Sequence, residues 1–148
     1  MPRPPRIQSP GWYHVTTRGN DGAPIYVDDR DRNLFLALLS RVASASRWDL
    51  DLWCLMTTHF HFLVRTRDPN LSRGMHRLNG RYAQLFNERH KRTGHLFERR
   101  FSGTPIEDER QMATTVAYVL ENPVKAGLCA TAAEWRWSGG RLRDVALN

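Results

Sequence analysis

The spacing of apolar residues divides the chain into a regular series of elements. Residues 12 to 17 (WYHVTT) are aromatic and β-branched and predict a strand, which the polar, glycine-containing segment 18 to 22 closes as a turn. Asp28 or Asp29 can then cap a helix, because the apolar residues that follow recur at helical spacing to about Ser46. The pattern therefore begins with a strand and a helix.

A hairpin is predicted in the middle of the chain. Residues 48 to 56 begin with alternating polar and apolar positions, and only Thr57 and Thr58 separate them from a second alternating run, 59 to 64. Two short strands with so short a connection are expected to pair directly with each other.

Two more helices and a short strand complete the pattern. Residues 71 to 90 carry one apolar stripe with Tyr82 in its middle, so Tyr82 is predicted to be core. Residues 102 to 106 are a candidate strand, and a third helix is expected from about Asp108 to Glu121, where Asn122-Pro123 would stop it. The order βαββαβα indicates an α+β fold with helices packed on an antiparallel sheet.

The composition limits the domain organisation. A chain of 148 residues fits one domain, which we place at 12 to 148, after a flexible basic N-terminal arm over 1 to 11 that is rich in Pro and Arg. Cys54 and Cys129 are too far apart in sequence to suggest a disulfide framework or zinc knuckle. No apolar run reaches the length of a membrane span or signal core, so a cytoplasmic protein with no membrane partner is expected.

The charge balance indicates the class of partner. Lys and Arg number 22 against 15 Asp and Glu, which gives a net charge of +7 and a pI near 10.2. Such an excess attracts polyanions and favours phosphate backbones through counterion release. Nucleic acid is therefore the leading candidate partner.

His59 and His61 are the first candidate site residues. Side chains two apart on a strand point the same way, so both imidazoles would lie on one face of the second hairpin strand, with Phe60 and Phe62 on the other. This arrangement is half of a metal site, because two ligands alone do not hold a metal.

The third helix offers residues that could complete the site. Tyr118 and Asn122, four apart, fall together on the side of the helix away from its apolar stripe. The stripe consists of Met112, Val116, Val119 and Leu120. Tyr118 is either exposed to a site or a partly buried ring with a hydrated hydroxyl, and the helical spacing leaves both interpretations open.

Two imidazoles and the Asn122 amide oxygen would form a mixed N/O ligand set with open positions. Such a set suits Mg²⁺ or Mn²⁺ better than structural zinc, and the ion would act as a Lewis acid on a phosphoryl oxygen. A nearby tyrosine hydroxyl is a competent nucleophile that forms a covalent intermediate.

Five blocks of the sequence, in this order along the chain, resemble a known family. They are YHVTTRGN (13–20), CLMTTHFHFLV (54–64), GHLFERRF (94–101), YVLENPVKAGL (118–128) and WRWS (135–138). Together they resemble the single-tyrosine HUH transposases of the insertion-sequence type, and most closely the REP-associated tyrosine transposase branch.

The resemblance implies a fold, a reaction and a role for each candidate. It implies a ferredoxin-like (RRM-like) sheet, metal ligation by His59, His61 and Asn122, and Tyr118 as the catalytic tyrosine. The expected activity is cleavage of single-stranded DNA near hairpins through a 5′-phosphotyrosine link that releases a 3′-OH. Attack by another 3′-OH would reverse the link and rejoin strands without consuming water.

The matched blocks also supply candidate DNA contacts. Arg18, Arg99, Arg100 and Lys125 lie in them, near the proposed site. The expected partner is single-stranded or hairpin DNA, and the protein would act as a monomer or a homodimer. Two positions depart from the family pattern: Thr58 replaces a common Asn, and Glu98 stands where Gln is frequent.

Two other functions fit the same residues. A metal-dependent nuclease would use the histidine pair to activate water instead of Tyr118. A domesticated DNA hairpin-binding module would use the basic surface and cleave nothing.

Overall fold

The computed structural model describes residues 9–98 and 100–147. Most of the predicted N-terminal arm, residues 1–8, lies outside the described part of the chain, as does Arg99. The first strand begins at Gly11, which the sequence pattern had placed in the arm.

The predicted strands and helices are all present. The strands are β1 (Gly11–Arg18), β2 (Asp49–Leu55), β3 (His59–Thr66), β4 (Ser102–Ile106) and β5 (Ser138–Gly139). The helices are α1 (Asp29–Ser46), α2 (Leu71–His90), α3 (Glu109–Lys125) and α4 (Arg141–Leu147). Asp28 caps α1 as predicted, because its side chain accepts a hydrogen bond from the backbone N–H of Asp31.

The sheet has five strands in the order β4-β1-β3-β2-β5, and all neighbouring pairs are antiparallel. The succession β1-α1-β2-β3-α2-β4 gives the βαββαβ pattern of ferredoxin-like folds, with β1 and β3 adjacent in the centre. The predicted α+β fold class is therefore confirmed. The central position of β1 and β3 fixes the side chains of the candidate site.

The two faces of the sheet are covered differently. Phe60, Phe62 and Val64 of β3 are buried in a core shared with α1 and α2, and Tyr82 lies in this core as predicted. We call this side the α1/α2 face. The opposite side packs a smaller apolar cluster against α3 and α4; we call it the histidine face, because His14, Thr16, His59 and His61 lie on it.

Helix α3 continues past the predicted stop. The sequence pattern ended it at Glu121 because of Asn122-Pro123, but the helix includes buried Pro123 and runs to Lys125. A proline removes its own N–H donor and crowds the preceding turn, but the turn beyond Pro123 is still closed by bonds such as Ala126 N–H to the Asn122 carbonyl. Asn122 therefore stays in helical phase with Tyr118, one turn earlier.

Two C-terminal elements were not predicted. Strand β5 is only two residues long and pairs with β2, and α4 packs over β2 beside α3. Elements this short carry too little periodicity to be recognised from sequence. No helix in the described part of the chain is both long and apolar enough to cross a membrane.

Candidate active site

His59 and His61 lie side by side on β3, next to β1. In the antiparallel register, Arg18 is opposite His59 and Thr16 is opposite His61. Residues directly opposite each other share a face of the sheet, so these four side chains border the same region. The two imidazole ring centroids are 5.0 Å apart, as expected for alternate residues of one strand.

Helix α3 places Tyr118 and Asn122 against this histidine pair. Its apolar residues Val119 and Leu120 are buried against the sheet, whereas the Tyr118 side is open and the residue remains 44% exposed. The Tyr118 ring meets the His61 ring edge to face with centroids 5.7 Å apart. The Asn122 side chain lies near enough to His59 to affect its pKa, and it donates a hydrogen bond to the Tyr118 carbonyl. The structure thus brings together all four residues that the sequence singled out.

His61 is a neutral base held away from water. The residue is 1% exposed. Burial, and then the nearby His14, His59 and Arg18, lower the pKa of His61 to about 3. Its Nε2 atom is buried and makes no hydrogen bond to any described residue. Buried polar atoms without partners are rare in folded proteins, so this nitrogen is a candidate ligand atom.

His59 lies nearer the surface and has a polar partner on each side. Burial and the positive charge of Arg18 lower the pKa of His59, while the hydrogen bond with Asn122 acts in the opposite direction. Thr58 Oγ1 lies 3.1 Å from His59 Nδ1. Thr58, one of the departures from the family pattern, therefore still offers a hydroxyl that can orient the ring.

His14 belongs to the same cluster, although sequence reasoning gave it no role. Its Nε2 lies 2.9 Å from Nδ1 of His61, and the two rings stack with centroids 5.1 Å apart. The His14 ring also meets the Tyr118 ring edge to face at 6.1 Å. Burial lowers the pKa of His14. Alternation along β1 would put His14 on one face with Thr16, but only the pairing of β1 with β3 shows that this face is the one with His61.

Some of the predicted DNA contacts lie around this histidine cluster. Arg18 ends β1 beside His59, and it lines a cleft of about 120 Å³ together with Arg100 and Thr16. The Lys125 Nζ lies 5.8 Å from the centre of the Tyr118 ring. Arg99 is outside the described residues. Glu98 lines the Arg18 cleft as well, which places one negative charge among the cations.

A second, larger cavity has the wrong chemistry for DNA. It measures about 690 Å³ and lies between α3 and α4, with apolar walls such as Met112 and Leu142. Its rim carries Glu107, Asp108 and Glu109, which would repel phosphates. The cavity contains neither histidine of β3, so the chemistry is centred elsewhere.

The residues present fit a divalent cation. Among the described residues, no group of three His, Cys, Asp or Glu side chains is arranged to hold a metal ion, and the Asn122 amide is the further donor that the sequence suggested beside the two histidines. Two neutral imidazoles and one amide oxygen are suitable donors for such an ion. The buried, partnerless Nε2 of His61 is the observation that supports this fit.

Comparisons with known proteins agree with this architecture. The family model described as "Transposase IS200 like" matches residues 8–122. A REP-associated tyrosine transposase bound to a REP hairpin has a TM-score of 0.78 at 19% identity, over 99% of this chain and 86% of that chain. A protein from Deinococcus radiodurans R1 assigned as a transposase has a TM-score of 0.55 at 16% identity, over 80% and 95% of the two chains. No curated protein matches the chain.

Proposed function

The chain belongs to the IS200-like transposase family, and from this premise we propose that it cuts and rejoins single-stranded DNA with Tyr118 as the nucleophile. Membership of a transposase family implies, in general terms, an enzyme that cleaves DNA and transfers strands. The fold is that of a REP-associated tyrosine transposase. The roles of individual residues and the steps of the reaction are our proposal.

One observation carries the proposal. Tyr118 is held on the exposed side of α3, yet its ring lies against His61, and Asn122 one turn later donates to the Tyr118 carbonyl and lies near His59. A partly exposed tyrosine is thereby fixed beside the three side chains that we propose as ligands. This combination suits a nucleophile that attacks a phosphate bound at the same place.

The reaction balances without water. The Tyr118 oxygen loses its proton and forms a bond to the scissile phosphorus, while the bond from phosphorus to the 3′ oxygen breaks. The 3′ oxygen leaves and takes up a proton as a free 3′-OH, and the 5′-phosphate stays linked to Tyr118. Attack of a 3′-OH on this phosphotyrosine reverses the same exchange and joins two strands.

We propose that His59, His61 and Asn122 hold a divalent cation, Mg²⁺ or Mn²⁺. Such an ion, when bound, supplies positive charge to a non-bridging oxygen of the scissile phosphate. The chain's own contribution is to keep both imidazoles neutral, by burial and neighbouring positive charge, so that their lone pairs remain available.

The basic side chains around the site suit a DNA backbone. Arg18 and Arg100 share a cleft next to His59, and Lys125 lies over the Tyr118 ring. We propose that these three residues and Arg99 contact phosphates on each side of the scissile bond. Hairpin DNA is the proposed substrate, because the solved REP-associated relative is bound to a REP hairpin.

The test compares two tyrosines in one chain. The wild type is expected to form a covalent, denaturation-resistant adduct with hairpin DNA when Mg²⁺ or Mn²⁺ is present. Tyr118→Phe should abolish the adduct. Tyr82→Phe should retain it, because Tyr82 is buried on the α1/α2 face, where its hydroxyl donates to the Ile25 carbonyl.

The other outcomes identify the alternative functions. Cleavage that persists in Tyr118→Phe, with no adduct trapped in the wild type, would indicate a nuclease that activates water. Metal-independent hairpin binding with no cleavage would indicate a binding module. Either result would contradict the proposal.

A further inference from the structure

We propose that His14 is a positioning residue for His61: its Nε2 accepts a hydrogen bond from the His61 Nδ1–H, which holds His61 in the tautomer whose Nε2 lone pair faces the ion site. The inference rests on the proposed function for the identity of that site. In this role, a residue of β1 orients a metal-binding residue of β3.

The contact itself requires one proton between two nitrogens. His14 Nε2 and His61 Nδ1 are 2.9 Å apart, a normal hydrogen-bond distance. A neutral imidazole carries one N–H and one bare nitrogen, so one ring must donate and the other accept. Only two arrangements are therefore possible.

The environment of His61 Nε2 decides between them. If His14 donated, the His61 proton would sit on Nε2, which is buried and has no described partner. A buried N–H without an acceptor costs about 1–3 kcal/mol and is seldom found. If His61 donates from Nδ1, Nε2 carries a lone pair instead, and a cation can satisfy it. His14 then bears its own proton on Nδ1.

Among the described residues, the hydrogen bond at His61 Nδ1 is the one with His14. Thr16, directly opposite His61, directs its hydroxyl to the Phe60 carbonyl instead, at 2.6 Å. Arg18 has donors only, so it cannot accept from Nδ1. His14 Nε2 is the acceptor within reach, and stacking of the two rings fixes its direction.

The choice of an imidazole has an electrostatic consequence. Metal-bound histidines are commonly oriented by carboxylates, and His90 of this chain does pair with a carboxylate, that of Asp31, at 2.8 Å. A carboxylate behind His61 would add a negative charge near a DNA phosphate. A neutral His14 accepts the same hydrogen bond without that repulsion.

Two separate measurements on the full chain without DNA determine the His61 tautomer and the affinity for the ion. Long-range ¹H–¹⁵N spectra of the metal-free protein should show His61 protonated at Nδ1, with its signals assigned from their loss in His61→Leu. Titration with Mn²⁺ alone should show affinity reduced about 10–100-fold in His14→Leu, the range typical of groups behind a metal ligand.

Two further variants separate positioning from a structural role. His14→Gln offers an amide oxygen to the same N–H and should recover most of the Mn²⁺ affinity. His76→Leu, at an exposed histidine of α2, should leave both readouts unchanged. If His14→Leu fails to fold, the wild-type spectrum and His14→Gln still decide the question.

The results distinguish this inference from the proposed function. A His61 proton found on Nε2, or unchanged Mn²⁺ affinity in a folded His14→Leu, would overturn the role of His14 and leave the phosphotyrosine reaction standing. A wild type that shows the Nδ1 tautomer but binds no Mn²⁺ would overturn the positioning role together with the metal site.

Discussion

Each face of the sheet holds a tyrosine and a histidine, but the two pairs are in opposite states. On the α1/α2 face, Tyr82 and His90 each have a polar partner: the Tyr82 hydroxyl donates to the Ile25 carbonyl, and His90 Nε2 contacts the Asp31 carboxylate. On the histidine face, Tyr118 is 44% exposed, and His61 Nε2 is buried with no described partner. Tyr82 and His90 support the fold, whereas Tyr118 and the Nε2 atom of His61 are available for chemistry.

The network around His90 shows what a structural cluster looks like in this protein. Asp31 is fully buried, and Arg89 donates to both Asp31 and Asp28 at 2.7 Å. The hydrogen bonds from Arg89 lower the pKa of Asp28 well below its usual range. These contacts join the start of α1 to the end of α2, so each charge has a partner and none remains for a ligand.

Removal of the buried Asp31 carboxylate should have the largest effect on stability. Asp31→Asn should lower the free energy of unfolding by roughly 3 kcal/mol, because Arg89 and His90 lose a fully buried partner. Urea denaturation provides the measurement. Asp49→Asn, which breaks an exposed pair with Arg67, is the matched control and should cost less than about 1 kcal/mol. Equal losses in the two variants would contradict a structural role for the buried network.

The corresponding change on the histidine face should separate activity from stability. His61→Leu should reduce adduct formation by more than about 100-fold, the upper end for groups that merely support a ligand. It should change the melting temperature little, because removal of a buried nitrogen without a partner is offset by loss of the hydrogen bond with His14. A variant that retains adduct formation would show that His61 is not a ligand.

Acidification should weaken the fold through His61. The pKa of His61 is about 3 in the folded chain against an ordinary 6.5, so between these values the unfolded chain binds a proton that the native state does not. Stability therefore falls as the pH falls. We expect His61 to account for roughly 2 kcal/mol between pH 7 and 4.5. Urea denaturation of the wild type and of His61→Leu at both pH values measures this difference. If the free energy of unfolding changed equally with pH in the two proteins, the burial of a neutral His61 would be refuted.

The smallest expected effect concerns the rim of the site. Lys125→Gln should weaken hairpin binding modestly and reduce the slope of log affinity against log salt by about one, as expected for one lost phosphate contact. Titrations at several salt concentrations measure this slope. Lys91→Gln, at the distant end of α2, serves as control. A similar change in both variants would mean that Lys125 contributes only to net charge.

Long, regular elements could be predicted from sequence, and with them much of the site. The stripe of α2 correctly placed Tyr82 in the core, and the off-stripe position of Tyr118 and Asn122 correctly put them together on α3. Strand alternation put His59 and His61 on one face. These inferences depend on local periodicity alone, which the structure preserves.

What could not be predicted depends on contacts between distant segments. The contact between His14 and His61 joins residues 47 apart, and no local pattern records that β1 pairs with β3. The sequence predicts a helix stop at Pro123 because its missing donor is a local feature, whereas its burial in the fold is not. Strand β5 has only two residues and is defined by its pairing with β2.

The central claim is that Tyr118, on the histidine face, becomes covalently attached to DNA. The most direct test is peptide mapping by mass spectrometry of an adduct trapped on hairpin DNA in the presence of Mn²⁺. The account predicts a single modified peptide, with a nucleotide joined to Tyr118 through its 5′-phosphate. Attachment at Tyr82 or any other residue, or strand cleavage with every tyrosine unmodified, would contradict it.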